Sequence, residues 1–257
     1  NVMAPAASAN DERMAVALAE SLELKPDTVL TASTGSIGVA QPVDVIEEGM
    51  PRLIASLSED PHDAAEAILT TDLTVKMASR RVEVGGKSVT LTAIAKGSGM
   101  IHPNMATMLG FICTDAECAP EELAAILKPV TRATFNQVSV DRDTSTNDMV
   151  LLAANGASGV TVTRETEAFV TAVREICEEM AKAIAADGEG ATRLISIHVT
   201  GAQDLGSARA LSRAVAASSL FKASLFGDMS GWGRCLAAVG ACASELGISL
   251  EPSAVSV

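Results

Sequence analysis

The stretch RVEVGGKSVTLTAI, residues 81–94, carries the clearest fold signal in the sequence. Apolar and polar side chains alternate on both sides of Gly85-Gly86, which predicts a β-hairpin with a two-residue turn. Farther along, the apolar side chains of residues 164–186 recur at helical spacing, which predicts a long amphipathic helix that packs on a sheet. Because strand and helix segments interleave along the chain, we predict an α/β layered fold.

The rest of the sequence predicts further elements of both kinds, with no internal repeat and no low-complexity linker. Helical patterns occupy residues 12–22, 43–57, 63–69, 120–135, 208–217 and 233–246. Short β-prone or apolar runs occupy residues 28–32, 107–112, 138–140, 149–154, 194–199 and 223–226.

Composition excludes several classes of function. The 257 residues include 19 basic and 32 acidic side chains, and the resulting net charge of −13 argues against nucleic-acid or anionic-membrane partners. Aromatic residues make up only 2%, so platforms for base stacking are nearly absent. The five cysteines form no CxxC pair, and no apolar run approaches the ~20 residues of a membrane span. We therefore expect a soluble, cytoplasmic protein.

The histidines give little support for a serine, histidine and aspartate triad. His62 lies in a Pro-His-Asp turn, and His198 alternates with apolar neighbours on a predicted strand. His102, within a glycine-containing loop, is the one histidine that we retain as a candidate.

The sequence also offers no clear thiol, metal or nucleotide site. The cysteines lie in predicted helices or at the end of a strand, where a small buried side chain is the usual role. Residues 141–143 resemble the opening of a calcium loop, but the later glycine and glutamate are missing. The glycines after Lys96 match neither a phosphate loop nor a dinucleotide fingerprint.

A threonine nucleophile is the remaining catalytic candidate. A threonine hydroxyl needs a base, and an α-amino group released by cleavage of the preceding peptide bond can serve as one on the same residue. Thr107 begins an apolar strand and follows the loop at residues 97–106, so the bond between Ala106 and Thr107 is the candidate cleavage site.

The segment KGSGMIHPNMATML, residues 96–109, resembles the signature of the ornithine acetyltransferase family, the bifunctional glutamate N-acetyltransferases of arginine biosynthesis. Four further segments resemble that family in the same order. They are STGSIG at 33–38, LTTD at 69–72, DTSTND at 143–148 and DGEGAT at 187–192.

The resemblance implies self-cleavage between Ala106 and Thr107, giving an α piece of residues 1–106 and a β piece of residues 107–257. Thr107 would be the nucleophile and, through its α-amine, its own base. The Thr34 hydroxyl and the Gly35 N–H would form the oxyanion hole.

The same resemblance implies a substrate site made of Thr70, Lys96, Thr107 and Glu189. Lys96 would bind a carboxylate of the substrate and Glu189 a charged amino group. The implied reaction is ping-pong transfer of an acetyl group from N-acetylornithine to glutamate, with no cofactor and no metal. Acetyl-CoA is a donor in bifunctional members, so the choice of donor stays open.

The resemblance also implies an architecture: helices outside two stacked β-sheets, as in N-terminal-nucleophile-like acetyltransferases and aminopeptidases, with the two pieces intertwined in one structural unit. Family members assemble as αβ heterotetramers or larger. Compared with them, the sequence is expected to be truncated at both ends.

Several positions differ from the family pattern. His102, Ser36 and Arg142 stand where the family usually has a small residue, Val and Gly, and Ser230-Gly231 replaces the Pro-Asn that normally precedes Trp-Gly-Arg. Acceptor specificity therefore stays open. Two alternatives remain beside the acetyltransferase: an N-terminal-nucleophile aminopeptidase or amidase, and a truncated, inactive homologue that stays uncut.

Overall fold

The computed structural model describes residues 3–102, 108–251, 253 and 255–257, which form four β-strands and eight α-helices. The chain divides into two compact units, residues 1–70 and residues 71–257. This division falls at a different place from the predicted cleavage site, because it follows packing and not the sequence signature. None of the described helices is both long and apolar enough to cross a membrane.

The first unit is helical in its regular structure. It contains α1 (Ala7–Ser21), α2 (Val43–Ala55) and α3 (His62–Ala67). Helices α1 and α2 pack against each other, and the Arg13 guanidinium of α1 donates to Asp44 and Glu47 of α2, each at 2.6 Å. The strand predicted at residues 28–32 is wrong, because Pro26 starts a short 3-10 turn and the following residues join no sheet.

The second unit contains a four-stranded sheet in the order β1-β2-β3-β4. Its strands are β1 (Lys76–Val84), β2 (Lys87–Lys96), β3 (Leu109–Thr114) and β4 (Met149–Ala154). The β1–β2 and β2–β3 pairs are antiparallel, whereas β3 and β4 are parallel. The predicted hairpin is confirmed, with Gly85 and Gly86 both at positive φ, 59° and 79°, as a two-residue turn of this kind requires.

Helix α5 (Glu167–Ala186) supplies the apolar layer over this sheet. It packs across β1 and β2, and the side chains of its apolar face are buried: Phe169, Ala172, Val173, Ile176, Cys177, Met180, Ala181 and Ile184. The amphipathic helix predicted from the sequence is therefore confirmed. So is the α/β class, with helices packed on a β-sheet; within the described residues there is one sheet.

The other helices of the second unit are α4 (Pro120–Ala133), α6 (Leu205–Ala217), α7 (Ser219–Phe226) and α8 (Trp232–Leu246). Helix α4 packs against β4 and α5, and α6, α7 and α8 contact one another. Val215, Phe221 and Cys235 form a second, smaller apolar cluster among these last three helices.

Three strand predictions in the second unit are wrong. Residues 223–226 belong to α7, which begins where the Ser218 side chain accepts a hydrogen bond from the Phe221 amide at 3.2 Å. Residues 138–140 and 194–199 join no ladder within the described chain. The alternation in residues 194–199 still corresponds to a partly buried face, because Ile195 and Ile197 pack on the small apolar cluster.

Candidate functional site

Three strand ends meet in one row at one end of the sheet. Lys96, the last residue of β2, pairs with Leu109, the first residue of β3, and Leu109 pairs with Met149, the first residue of β4. Leu109 follows Thr107 by two positions in the chain. Residues 103–107 lie outside the described residues, and with them the predicted cleavage site and nucleophile, Ala106 and Thr107.

Lys96 is a buried lysine with an acidic neighbour. Its side chain is 8% exposed, and its Nζ lies 3.7 Å from Oδ2 of Asp72, whose side chain is fully buried. Burial lowers the pKa of Lys96, and the Asp72 carboxylate opposes that shift. The arrangement provides an ammonium group within the protein interior, which is suited to bind a carboxylate.

A second buried lysine, Lys76, joins two aspartates. Its Nζ donates to Oδ1 of Asp72 at 2.7 Å and to Oδ2 of Asp187 at 2.6 Å. Burial raises the pKa of Asp187, but the Lys76 ammonium and the amides of Leu73 and Thr74 outweigh that effect and hold the pKa below its usual range.

The glycine loop after Lys96 holds the segment that carries Glu189. The Ser98 hydroxyl donates to the Asp187 carbonyl at 2.7 Å, and the Glu189 amide donates to the Ser98 carbonyl at 3.1 Å. A Cβ atom on Gly99 would lie only 2.5 Å from Cδ of Glu189. Glycine at position 99 therefore makes room for the Glu189 carboxylate beside the loop.

The loop then turns at Met100, which has a positive φ of 58°. The Asp141 carboxylate accepts hydrogen bonds from the amides of Met100 at 2.5 Å and Ile101 at 2.9 Å, which compensates for the unfavourable backbone conformation. This aspartate is the first residue of a polar stretch, residues 141–148. Through these two hydrogen bonds, Asp141 stabilises the glycine loop.

His102 lies on the far side of this turn. Its Nδ1 is 2.9 Å from the Ser139 hydroxyl. Burial lowers its pKa, and the charges of Arg213, Arg142 and Lys222 act in the same direction. The ring's described hydrogen-bond partner is a hydroxyl group, and not the carboxylate that the histidine of a catalytic triad requires.

Asp148 lies immediately before β4, beside the start of β3. Burial raises its pKa to about 7, although the Met108 amide and the Ser145 hydroxyl donate to the carboxylate and oppose the shift. Its Oδ1 is buried and has no hydrogen-bond partner within the described part of the chain. Met108 is the residue after Thr107, and its carbonyl also accepts from the Met149 amide at 2.9 Å.

The remaining predicted site residues belong to the first unit. Thr34 is half-buried and Gly35 is exposed, in an irregular stretch just before the turn at Ile37 and Gly38. Thr70 is exposed and is the last residue of that unit. Within the second unit, the structure brings Lys96 and Glu189 to the same glycine loop.

Sequence reasoning missed four charged residues at this end of the sheet. Asp72 and Asp187 lie within the LTTD and DGEGAT segments that resemble the family. The resemblance implied roles only for nearby residues in those segments, Thr70 and Glu189. Lys76 follows Asp72 by four positions, a spacing that gives one weak signal for a pair. Asp148 closes a polar run before an apolar one, which by itself does not indicate a shifted pKa.

A cavity of about 680 Å³ has Glu189 among its lining residues. Its walls come from the end of α4 and residues 134–140, from α5, from residues 190–198, and from α6 and α7. Lys96 is not among the residues that line it. No group of three or more metal-ligating side chains is found within the described residues.

Comparison with known proteins gives the family. The ArgJ family model matches residues 1–257, the whole chain. The chain belongs to the ArgJ family. The resemblance that the sequence motifs indicated is thereby confirmed.

Relatives in this family are longer than the chain. The arginine biosynthesis bifunctional protein ArgJ of Thermotoga neapolitana is 45% identical over 235 residues, which cover 90% of this chain and 59% of that protein. The protein of the same name from Symbiobacterium thermophilum is 50% identical over 232 residues, which cover 88% and 58%. The chain thus spans somewhat less than three fifths of the length of these relatives.

A solved structure of the family supports the fold. The crystal structure of the arginine biosynthesis bifunctional protein ArgJ from Bacillus halodurans matches with a TM-score of 0.54 and 40% sequence identity. The match covers 56% of this chain and 68% of that one. The fold class predicted from the sequence agrees with this likeness.

Proposed function

We propose that this chain belongs to an acetyltransferase that moves an acetyl group from N-acetylornithine to glutamate through an acetyl-threonine intermediate. Membership of the ArgJ family supports an acyl-transfer role in arginine biosynthesis. The observation that carries the proposal is the row of strand ends at which Lys96 stands beside Leu109, two residues after Thr107.

In this proposal Thr107 becomes the N-terminal residue of the β piece after cleavage of the Ala106–Thr107 bond. Its hydroxyl oxygen attacks the acetyl carbonyl of N-acetylornithine, and its α-amine takes the hydroxyl proton. The amide bond then breaks, and the same amine returns the proton to the departing ornithine amine. In the second half-reaction the neutral amine of glutamate attacks the acetyl ester, the bond to the Thr107 oxygen breaks, and the Thr107 α-amine passes the proton of the attacking amine to that oxygen, which regenerates the hydroxyl.

The negative charge that develops on the acetyl oxygen requires donors. We assign the Thr34 hydroxyl and the Gly35 N–H to this task. Each such donor is typically worth about 3–4 kcal/mol of transition-state stabilisation.

Recognition of the amino-acid part is assigned to Lys96, Glu189 and Thr70. The buried Lys96 ammonium suits a substrate carboxylate, because a charge pair is strengthened when water is excluded. The Glu189 carboxylate, exposed beside Gly99, suits an amino group. No cofactor enters this scheme, with acetyl-CoA as an alternative donor substrate.

The test is acetyl transfer with isotopically labelled N-acetylornithine, in the presence and absence of glutamate. We expect labelled N-acetylglutamate from the chain and none from Thr107→Ala. Thr161→Ala, which removes an exposed threonine hydroxyl from another part of the second unit, is the matched control and should be as active as the parent chain. Labelled acetate without N-acetylglutamate would instead identify an amidase and contradict the proposal.

We further propose that the pieces 1–106 and 107–257 remain associated and assemble as an αβ heterotetramer. Native mass spectrometry measures the mass of the assembly and the number of pieces in it. A single uncut chain, active or not, would contradict the proposed processing.

A further inference from the structure

Four charged side chains form a buried network beneath the glycine loop, and the proposed chemistry gives a role to only one of them, Lys96. The four are Asp72, Lys76, Lys96 and Asp187, with exposed side-chain fractions of 0%, 1%, 8% and 7%. Two positive and two negative charges leave the network neutral.

Lys76 is the centre of this network. Its ammonium group has three N–H donors, and three acceptors surround it: Asp72 Oδ1 at 2.7 Å, Asp187 Oδ2 at 2.6 Å and the Thr74 carbonyl at 3.2 Å. The ammonium therefore links the segment before β1 to the segment after α5.

Asp72 carries the network to Lys96 and to the loop backbone. Its Oδ1 accepts from the Gly97 amide at 2.6 Å, and its Oδ2 lies 3.7 Å from the Lys96 ammonium. One carboxylate thus contacts the predicted substrate-binding lysine and the first residue of the loop that follows.

Asp187 carries the network to Glu189. The Asp187 carbonyl accepts from the Ser98 hydroxyl, and the Ser98 carbonyl accepts from the Glu189 amide. The same set of contacts therefore reaches both predicted substrate-binding residues, the ammonium of Lys96 at one end and the backbone amide of Glu189 at the other.

We propose that Asp72 and Lys76 are positioning residues, which fix the Lys96 ammonium and the glycine loop relative to the segment that carries Glu189. The inference rests on the proposed function, in which Lys96 and Glu189 bind the substrate. A buried ion pair is weak evidence for stability alone, since apolar side chains of similar volume often replace one at no cost. Here the network fixes the relative positions of Lys96 and Glu189, whose side chains carry opposite charges.

The charge state of Lys96 provides a readout that a purely structural role would not affect. The charged groups that act on its ammonium are Asp72, Lys76 and Glu189, and burial opposes its protonation. Burial and the Lys76 charge lower the pKa of Lys96, and the Asp72 charge raises it. An uncharged side chain of the same shape at position 72 removes the effect that raises the pKa. The pKa of Lys96 then falls further.

The experiment is an NMR titration of lysine Cε resonances in the full chain. The chain has only seven lysines, so the spectrum is simple, and Lys96→Arg assigns the resonance of interest. In Asp72→Asn the amide oxygen can still accept from Gly97 and Lys76, and we expect the pKa of Lys96 to fall. Asp72→Glu restores the charge and should return the pKa towards the parent value.

The matched control is Glu178→Gln, which neutralises the carboxylate partner of Lys182 in an exposed pair. It should leave the Lys96 titration unchanged. An unchanged Lys96 pKa in Asp72→Asn would overturn the proposal. If Asp72→Asn fails to fold, the parent chain decides: the pKa of Lys96 must lie below the ordinary value of a lysine, and an ordinary value overturns the proposal.

A kinetic measurement tests the positioning role separately. For Asp72→Asn we expect KM for N-acetylornithine to rise about tenfold per pH unit above the lowered pKa, with kcat retained, because only charged Lys96 binds the carboxylate. An unchanged pH profile of KM would contradict the role. If the chain transfers no acetyl group at all, the proposed function is wrong. The titration still shows whether Asp72 acts on the charge of Lys96.

Discussion

Asp148, just before β4, carries a carboxyl group whose pKa is raised to about 7 because the group is partly buried. A raised folded-state pKa stabilises the protein fully below the unfolded value, near 3.8, and this contribution is lost as the pH rises through 7. The carboxyl is half-buried, so solvent screening reduces the effect to about 1–2 kcal/mol.

Asp148→Asn should therefore raise the free energy of unfolding at pH 8 by about 1–2 kcal/mol and leave it nearly unchanged at pH 4. Urea denaturation at both pH values measures this. Asp143→Asn, at an exposed position in the same polar stretch, is the control. The same change in stability at pH 4 and pH 8 would show that titration of Asp148 is not the cause.

Gly99 makes room for the Glu189 carboxylate, since an added Cβ would lie 2.5 Å from Cδ of Glu189. In Gly99→Ala the flexible glutamate side chain moves away, at a cost to stability within about 0.5 kcal/mol. We expect KM for N-acetylornithine to rise about tenfold or more, because a hydrogen bond to a charged group is worth about 1.5–3 kcal/mol.

The matched control is Gly240→Ala in α8, where an added Cβ meets no atom within 4 Å. Alanine is the better helix former, so this variant should gain up to about 1 kcal/mol of unfolding free energy with KM unchanged. Equal KM values for Gly99→Ala and Gly240→Ala would show that Glu189 does not contribute to substrate binding.

Sequence motifs predicted the two substrate-binding charges, Lys96 and Glu189, but not the groups that hold them. Lys76 and Asp187 are 111 residues apart, and a contact at that separation leaves no local pattern in a single sequence. The raised pKa of Asp148 depends on its burial in the fold, which residue type and spacing do not show.

Among the elements, Lys76 at the start of β1 is one of the residues that contact Asp187 in the segment after α5. Lys76→Met removes the ammonium but keeps most of the length of the side chain, and it leaves the Asp72 and Asp187 carboxylates buried without that ammonium. We expect a loss of about 3–5 kcal/mol in the free energy of unfolding, measured by urea denaturation. Lys182→Met, which breaks an exposed pair with Glu178, should cost less than about 1 kcal/mol. Similar losses in the two variants would contradict the structural importance of the network.

The elements with strong local patterns were predictable from the sequence. The hairpin around Gly85 and Gly86 and the amphipathic helix α5 combine periodicity with the turn residues that their geometry needs. Short apolar runs were not predictable: residues 223–226 fit a strand by residue type, but the Ser218 cap makes them the end of a helix. Residues 194–199 alternate as a strand does, yet pairing requires a neighbour that the pattern does not reveal.

At the scale of the whole molecule, the chain packs as units 1–70 and 71–257, whereas the proposed processing divides it at residue 106. Self-cleavage would therefore fall within the second unit, between β2 and β3. The ladder between these strands, from Leu91 paired with Thr114 to Lys96 paired with Leu109, would hold the two pieces together after the backbone is cut.

The most direct test of the central claim is the intact mass of the chain after incubation with N-acetylornithine. We expect two pieces that begin at Asn1 and Thr107, with one acetyl group on the second piece, attached to Thr107. Addition of glutamate should remove that acetyl group. A single uncut chain, or an acetyl group on any residue other than Thr107, would contradict self-cleavage and catalysis by Thr107.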